Sequence, residues 1–335
     1  MRRQEGESMT VGREAMDPQL RRWGIWWRRV LSRHGETGLR RAYRVTRLTR
    51  PMLSAWRPDG LRVRREFVER GDGTRLRLLV CEPLDPPSNV VGMVWFHGGG
   101  YALGCPEQDL PTCRRLVARS GGVVVAPDYR LSPEAPYPAA LEDGYLALTW
   151  LRDHAGRLGV RSDQLAVGGE SAGGGLTAAL ALYARDRGEI SLAFQMPIYP
   201  MIDDRAVTES SRDNDAPVWD SVTNAAAWRL YLGARYGTRD VPAYAAPARA
   251  TEFGGLPPAF TYVGDLEPFR DETVAYVENL RAAGVPVDFE LYPGCWHGFD
   301  RIVPGAAVSA RARRVRDEWF AQAVRQHFAP QPGAR

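Results

Sequence analysis

Residues 168–175, Gly-Gly-Glu-Ser-Ala-Gly-Gly-Gly, limit what this chain can fold into more than any other stretch. A short apolar run, Leu165-Ala166-Val167, leads in. An Ala/Leu-rich run with helical spacing, Leu176 to Tyr183, leads out. The pattern reads as a strand, a very tight turn and a helix, with Ser171 at the apex. Gly169 and Gly173 stand two residues to either side, and without Cβ atoms they let strand and helix approach closely. The helix beginning after the serine points its first unpaired N–H groups back toward it, where negative charge is favoured. Taken alone, Gly-x-Ser-x-Gly describes a glycine-rich turn as well as a nucleophile. Its chemical meaning depends on whether the rest of the chain supplies partners.

The flanking sequence alternates strand and helix. After a strand with Val63, Phe67 and Val68, Gly71-Asp72-Gly73 signals a hairpin turn, and Leu76 to Val80 returns. Val90 to Phe96 and Val123 to Ala126 are nearly continuous apolar runs, the mark of strands covered on both faces. Helical spacing covers Cys113 to Arg119 and Ala139 to His154. Strands follow at Phe194 to Tyr199, Ala259 to Val263 and Val287 to Leu291, with helices over Asp271 to Ala283 and Val308 to Phe328. The expected fold is α/β: a mostly parallel, doubly wound sheet with helices on both faces, preceded by an antiparallel hairpin. Residues 201–245 break the alternation. A loop-like acidic stretch gives way to a helix capped by Asp220 or Ser221, running to Leu232 and ended by Gly233.

Composition bears mainly on the N-terminal segment. Every basic residue is arginine, and residues 1–70 hold 18 Arg against 8 Asp and Glu, a local balance of 18 − 8 = +10 in a chain of net charge +4. Residues 1–18 are polar and expected to lack fixed structure. From Pro18 the chain reads as helix, with Trp23, Trp26, Trp27 and Val30 interleaved among arginines, and a second basic helix spans about Leu39 to Leu53. A basic, Trp-bearing helix covers an apolar pocket or lies on an anionic membrane, and covering is the preferred reading. No nucleic-acid-binding module accompanies the arginines. Residues 1–57 and the insertion at about 201–245 are therefore read as a helical cap on a catalytic domain at 58–335. No run approaches a membrane span, and Met1 to Thr10 lacks the apolar core of a secretory signal, so a cytoplasmic location is expected. Cys81, Cys105, Cys113 and Cys295 show no metal spacing and are expected as free buried thiols.

A serine nucleophile needs a base, a group that orients the base, and donors for the oxyanion. His97-Gly98-Gly99-Gly100 follows the Val90–Phe96 strand. The N–H groups of Gly98 and Gly99, with that of Ala172, are the candidate oxyanion donors. Of the histidines at 34, 97, 154, 297 and 327, only His297 lies in a loop after a late strand. The loop after Ala259 to Val263 carries Asp265 and Glu267, and the residues themselves leave the choice of orienting acid open. Asp271 and Glu272 read as the first turn of the next helix. Either acid gives the order Ser, acid, His of α/β-hydrolases.

From about residue 60 to 325 the chain resembles the microbial hormone-sensitive-lipase-like carboxylesterases. The resemblance rests on His97-Gly98-Gly99-Gly100, Asp128-Tyr129-Arg130-Leu131-Ser132-Pro133-Glu134, Tyr137-Pro138-Ala139-Ala140, Gly169-Glu170-Ser171-Ala172-Gly173-Gly174 and His297-Gly298-Phe299. It implies an α/β-hydrolase fold with a helical cap. It also implies Ser171, Glu267 and His297 as the triad, because Glu267 stands just before Pro268-Phe269-Arg270-Asp271-Glu272, where many relatives carry Asp. Asp265 is the alternative. The implied activity is serine hydrolysis of small to medium acyl esters without metal or cofactor. Lactonase, deacetylase and acyltransferase chemistry, or binding without catalysis, are the alternatives. The implied partner is a small-molecule ester and not nucleic acid, and a homodimer is left open. Arg130 and Glu134 are read as a buried ion pair or loop clamp, and Glu170 as supporting the nucleophile.

Overall fold

A computed structural model describes residues 11–31, 33–53, 58–85 and 87–333. Eight strands form one sheet in the order β1-β2-β4-β3-β5-β6-β7-β8. β1 (Arg62–Glu69) and β2 (Arg75–Glu82) form the expected antiparallel hairpin. Asp72 closes its turn by accepting the Thr74 N–H at 2.9 Å, and Gly73 takes a positive φ of 78°. β2 runs antiparallel to β4 (Val123–Pro127). From β4 onward all pairings are parallel, through β3 (Val90–Phe96), β5 (Val160–Glu170), β6 (Phe194–Ile198), β7 (Ala259–Gly264) and β8 (Val287–Tyr292). The continuous apolar runs occupy the centre, where β3, β4 and β6 are almost wholly buried, while the edge strand β1 alternates. Parallel strands put their C-terminal ends on one edge of the sheet, where ligand sites of α/β folds gather. The loops after β3, β5, β7 and β8 all open on that edge.

The helices are α1 (Arg21–Leu31), α2 (Glu36–Leu53), α3 (Leu110–Ser120), α4 (Ala139–Asp153), α5 (Ala172–Arg187), α6 (Ser221–Leu232), α7 (Arg270–Ala282), the short α8 (Phe299–Ile302) and α9 (Ala307–Gln326). Two boundaries differ from the sequence reading in a way that bears on the site. β5 runs to Glu170 and α5 begins at Ala172, so Ser171 alone makes the turn. Glycines that depress helix propensity (Gly173, Gly174, Gly175) are nonetheless helical, because all of them are buried against other backbone.

Residues 11–18 depart from expectation. They do not trail free: Val11 and Met16 are buried, the Val11 N–H donates to Asp215 at 2.7 Å, and Arg28 bonds the Val11 carbonyl at 2.7 Å. The Asp17 N–H donates to the Gly294 carbonyl at 2.9 Å, tying the segment to the loop that carries His297. Residues 1–10 lie outside the described part. α1 passes Trp296 so closely that a Cβ on Gly24 would stand 2.9 Å from its indole nitrogen. α2 packs on α6, and the α1–α2 junction is pinned there by Arg33 N–H to Asp220 and His34 N–H to Thr223 Oγ1 at 3.0 Å.

The Arg130–Glu134 clamp is corrected. Arg130 turns to Asp143, whose Oδ2 also takes the Arg130 N–H at 2.7 Å, and Asp143 is shared with Arg70 at 2.6 Å. Glu134 instead pairs with Arg47 of α2 at the half-exposed surface. The two residues lie four apart in a turn that sends their side chains in different directions. None of the four cysteines is in a disulfide, and all are buried. Among the described residues no helix is long and apolar enough to cross a membrane.

Asp220 does two jobs, accepting the Thr223 N–H at 2.7 Å as the N-cap of α6 and the Arg33 N–H of the α1–α2 junction. Asp220→Ala should therefore cost about 1–3 kcal/mol. Thermal unfolding followed by circular dichroism checks this, and an unchanged Tm would mean that packing alone holds that junction.

Candidate active site

Ser171 sits at φ 60°, ψ −121°, a conformation that non-glycine residues rarely adopt. Backbone of this kind costs on the order of 1–3 kcal/mol and persists only where its surroundings force it. Here the Ser171 N–H donates to the Ile198 carbonyl at 2.9 Å and its carbonyl accepts from Gly175 at 2.9 Å and Met201 at 3.1 Å. The flanking glycines are sterically required. A Cβ on Gly173 would lie 2.1 Å from the Phe96 carbonyl oxygen, and one on Gly169 would lie 2.4 Å from the Gly173 oxygen. Elbow and β3 are in backbone contact, so the loop leaving β3 is delivered beside the serine.

That loop is Gly98-Gly99-Gly100-Tyr101, with φ of 132°, 60° and 58° at its last three positions. A Cβ on Gly98 would touch Ser171 Cβ at 3.2 Å, and one on Gly100 would meet the Trp219 ring at 2.2 Å. The loop is braced from behind. The Gly98 carbonyl accepts from Gln108 Nε2 at 3.1 Å, and the Tyr129 hydroxyl donates to the His97 carbonyl at 2.8 Å. With the carbonyls held inward, among the described residues no protein acceptor takes the N–H of Gly98 or Gly99. The Ala172 N–H, first in α5, has no partner within its helix.

His297 lies in the loop between β8 and α8, with glycines at positive φ at 294 and 298 allowing the chain to double back. Its Nε2 stands 2.8 Å from Ser171 Oγ, and its Nδ1 is hydrogen-bonded to Glu267 Oε2. The ring is gripped edge-on by Tyr199 at 5.0 Å and Phe269 at 4.9 Å between centroids. Glu267 is fully buried, and its other oxygen accepts the Gly264 N–H at 2.7 Å. Burial pushes its pKa up, and His297 pulls it back. Asp265 does not touch the imidazole. It is half-buried and accepts the Gly294 N–H at 2.8 Å, fixing the loop that carries the histidine. Asp271 and Glu272 do start α7, and they also anchor the 201–245 segment by accepting the N–H groups of Ser210 and Ile202, each at 2.8 Å.

Ser171 and His297 open on a cavity of about 240 Å³. Its walls come from Leu39 of α2, Leu103, Val218, Trp219 and Ile302, and from His34 at the α1–α2 junction. Sequence reasoning missed these wall residues. His34 carries no role in the sequence reading, and the docking of α2 on α6 brings it to the cavity.

Beneath the elbow lies a buried layer of charge. Glu170 is paired with Arg316 at 3.3 Å, and more loosely with Arg301 at 3.8 Å. Arg301 also holds Asp109 at 2.7 Å, and Asp300 accepts from the hydroxyls of Tyr199 and Tyr262 at 3.1 and 2.8 Å. Burial raises the Glu170 pKa to about 7, with Asp109 and Asp300 adding to the rise and the two arginines opposing it. The folded state thus binds a proton that the unfolded chain releases above its ordinary value of 4.5. Stability from this group is full below pH 4.5 and lost as pH rises through about 7. Glu170→Gln should flatten the stability profile across that window, by roughly 1–3 kcal/mol relative to wild type. Urea unfolding at several pH values checks it; parallel profiles for the two proteins would contradict it.

Comparison with known proteins comes to the same fold from outside. A family model described as alpha/beta hydrolase fold matches residues 93–301. Esterase LipI of Mycobacterium tuberculosis is 38% identical over 218 residues, 64% of this chain and 68% of that protein. Carboxylesterase NlhH of the same species is 36% identical over 253 residues, 74% and 79% of the two chains. Among solved structures, a bacterial heroin esterase superposes with a TM-score of 0.86 at 34% identity, covering 93% of this chain and 99% of the other. Esterase LipW from Mycobacterium marinum superposes at 0.80 with 32% identity, covering 93% and 97%.

Proposed function

This chain belongs to the hormone-sensitive-lipase-like carboxylesterases of the alpha/beta hydrolase fold, and from that premise we propose that it hydrolyses small to medium acyl esters through Ser171, His297 and Glu267. The observation that carries the reading is one continuous chain of contacts: Ser171 Oγ to His297 Nε2 at 2.8 Å, and His297 Nδ1 to Glu267. Glu267 accepts a hydrogen bond from Nδ1–H, which leaves Nε2 as the acceptor facing the serine. Ser171 Oγ then attacks the ester carbonyl carbon as His297 takes its proton. The carbonyl oxygen becomes an oxyanion and is held by the N–H groups of Gly98, Gly99 and Ala172. Collapse expels the alcohol, which receives the proton from His297. A water, deprotonated by His297, attacks the acyl carbonyl carbon, and the bond to Ser171 Oγ breaks as His297 returns the proton to it, releasing the acid.

Each part has a physical task. Strain at Ser171 fixes Oγ above the turn, so little entropy is lost in reaching the attack geometry. N–H donors fixed in place before the charge develops are worth about 10²–10³ in rate each. Burial of Glu267 places its charge in a low-dielectric setting, where it stabilises the imidazolium strongly. We also assign the N-terminal segment, residues 1–57, and residues about 201–245 to a cap over the body, because Leu39 and Trp219, which both line the cavity, come from these two segments. The cavity's apolar walls and modest size favour short acyl chains.

Ser171→Ala should reduce ester turnover below about 1% while leaving the unfolding profile intact. Glu267→Gln should lower kcat by roughly 10²–10⁴, whereas Asp265→Asn, one step removed, should cost less than about tenfold. Steady-state assays on nitrophenyl esters separate these outcomes, and the reverse ranking would make Asp265 the orienting acid. Across the same esters, kcat/KM should decline from butanoate to hexadecanoate; a profile rising with chain length would contradict a cavity of this size.

A further inference from the structure

The inner and outer faces of α1 and α2 differ in a way that cavity-covering does not account for. Inward, Leu39 and Tyr43 of α2 and Leu20, just before α1, are buried, and Leu39 walls the cavity. Outward, α1 exposes Trp23 at 47%, Trp26 at 50% and Val30 at 45%, while α2 exposes Val45 at 59% and Leu48 at 80%. Trp23, Trp26 and Val30 are spaced three and four apart, and Val45 and Leu48 three apart, so each set lies along one side of its helix. A helix that served only as a lid would put polar side chains there.

Arginines stand beside these apolar residues. Arg22 and Arg29 flank the tryptophans on the exposed side of α1, which carries no acidic residue, and Arg41 and Arg44 flank Val45 on α2. Arg28 is drawn to Asp215 and Arg47 to Glu134, but among the described residues no carboxylate pairs with Arg22, Arg29, Arg41 or Arg44. Large aromatic and aliphatic side chains along one side, with these four arginines beside them, fit a surface that is apolar beneath and negative at its rim.

We propose that the outer face of α1 and α2 docks on anionic phospholipid bilayers. Indole rings settle at the headgroup level, with their apolar bodies toward the acyl chains, while the arginine stems run along the same depth and their guanidinium groups meet phosphate. A nucleic acid would use the arginines and leave Val30, Val45 and Leu48 in water. A bilayer uses both sets. Covering and docking are not alternatives, because they use opposite faces of the same two helices. The geometry sets the cavity behind the docked face, so an apolar ester concentrated in the membrane is presented to the side of the protein that walls the site.

The test is sedimentation of the full chain with extruded vesicles of phosphatidylcholine, with and without roughly 30% phosphatidylglycerol. Three proteins are compared: wild type, Trp23→Ser/Trp26→Ser, and Arg22→Gln/Arg29→Gln. Wild type should bind the anionic vesicles, bind neutral ones at least about tenfold more weakly, and be released as salt rises from about 0.1 to 1 M. The arginine pair should weaken anionic binding roughly thirtyfold and the tryptophan pair at least tenfold. All three should hydrolyse nitrophenyl acetate in vesicle-free buffer within about twofold of one another, since none of these side chains reaches the cavity. Absence of anionic binding, or binding that neither double variant weakens, overturns the proposal. So does tighter binding to a DNA oligonucleotide than to vesicles, or a wild-type dimer that the tryptophan replacements dissociate.

Discussion

The backbone contact between the Ser171 elbow and the end of β3 is the constraint on which the rest of the structure depends. Three carbonyls, from Phe96, His97 and Gly173, crowd the space where Cβ atoms of Gly169 and Gly173 would stand. Closing that gap forces Ser171 into positive φ and lets α5 begin at the next residue. It also fixes the distance between the serine and the glycine loop leaving β3, so the candidate nucleophile and candidate N–H donors share one rigid mount. A larger residue at either glycine would separate strand from helix and dismantle both at once.

Around that mount the sheet topology does the gathering. Parallel strands β3, β5, β7 and β8 end on one edge, and the loops after them carry the candidate donors, Ser171, Glu267 and His297. The last two loops are tied to each other by Leu266 N–H to the Cys295 carbonyl at 3.1 Å and Asp265 N–H to the Tyr292 carbonyl at 3.1 Å. Residues 11–18 reinforce this by bonding Gly294. The N-terminal segment thus steadies the histidine loop from one side and the cavity wall from the other.

How much of this was legible in the sequence follows from range. The elbow, the glycine loop and the strands are local patterns, with glycine where backbone crowds and apolar runs where sheets are covered, and they were read at their positions. The fold and the family follow from them. The choice of Glu267 over Asp265 was not legible from residue type or spacing, since both sit in one loop after one strand. Only the direction of each side chain separates them, one toward His297 and the other toward Gly294. His34 in the cavity wall, the pairing of Arg130 with Asp143 and the pinning of Val11 by Asp215 join residues from 13 to more than 200 positions apart. Such contacts arise from tertiary docking and leave no periodic trace in the chain.

The central claim is that Ser171 is an activated nucleophile and not a glycine-flanked turn. Labelling the native protein with a fluorophosphonate and mapping the adduct by peptide mass spectrometry tests it most directly. The account predicts a single adduct on Ser171, formed at about one per chain and lost when the protein is unfolded before labelling. Native protein that stays unlabelled, or an adduct on any other residue, would contradict it.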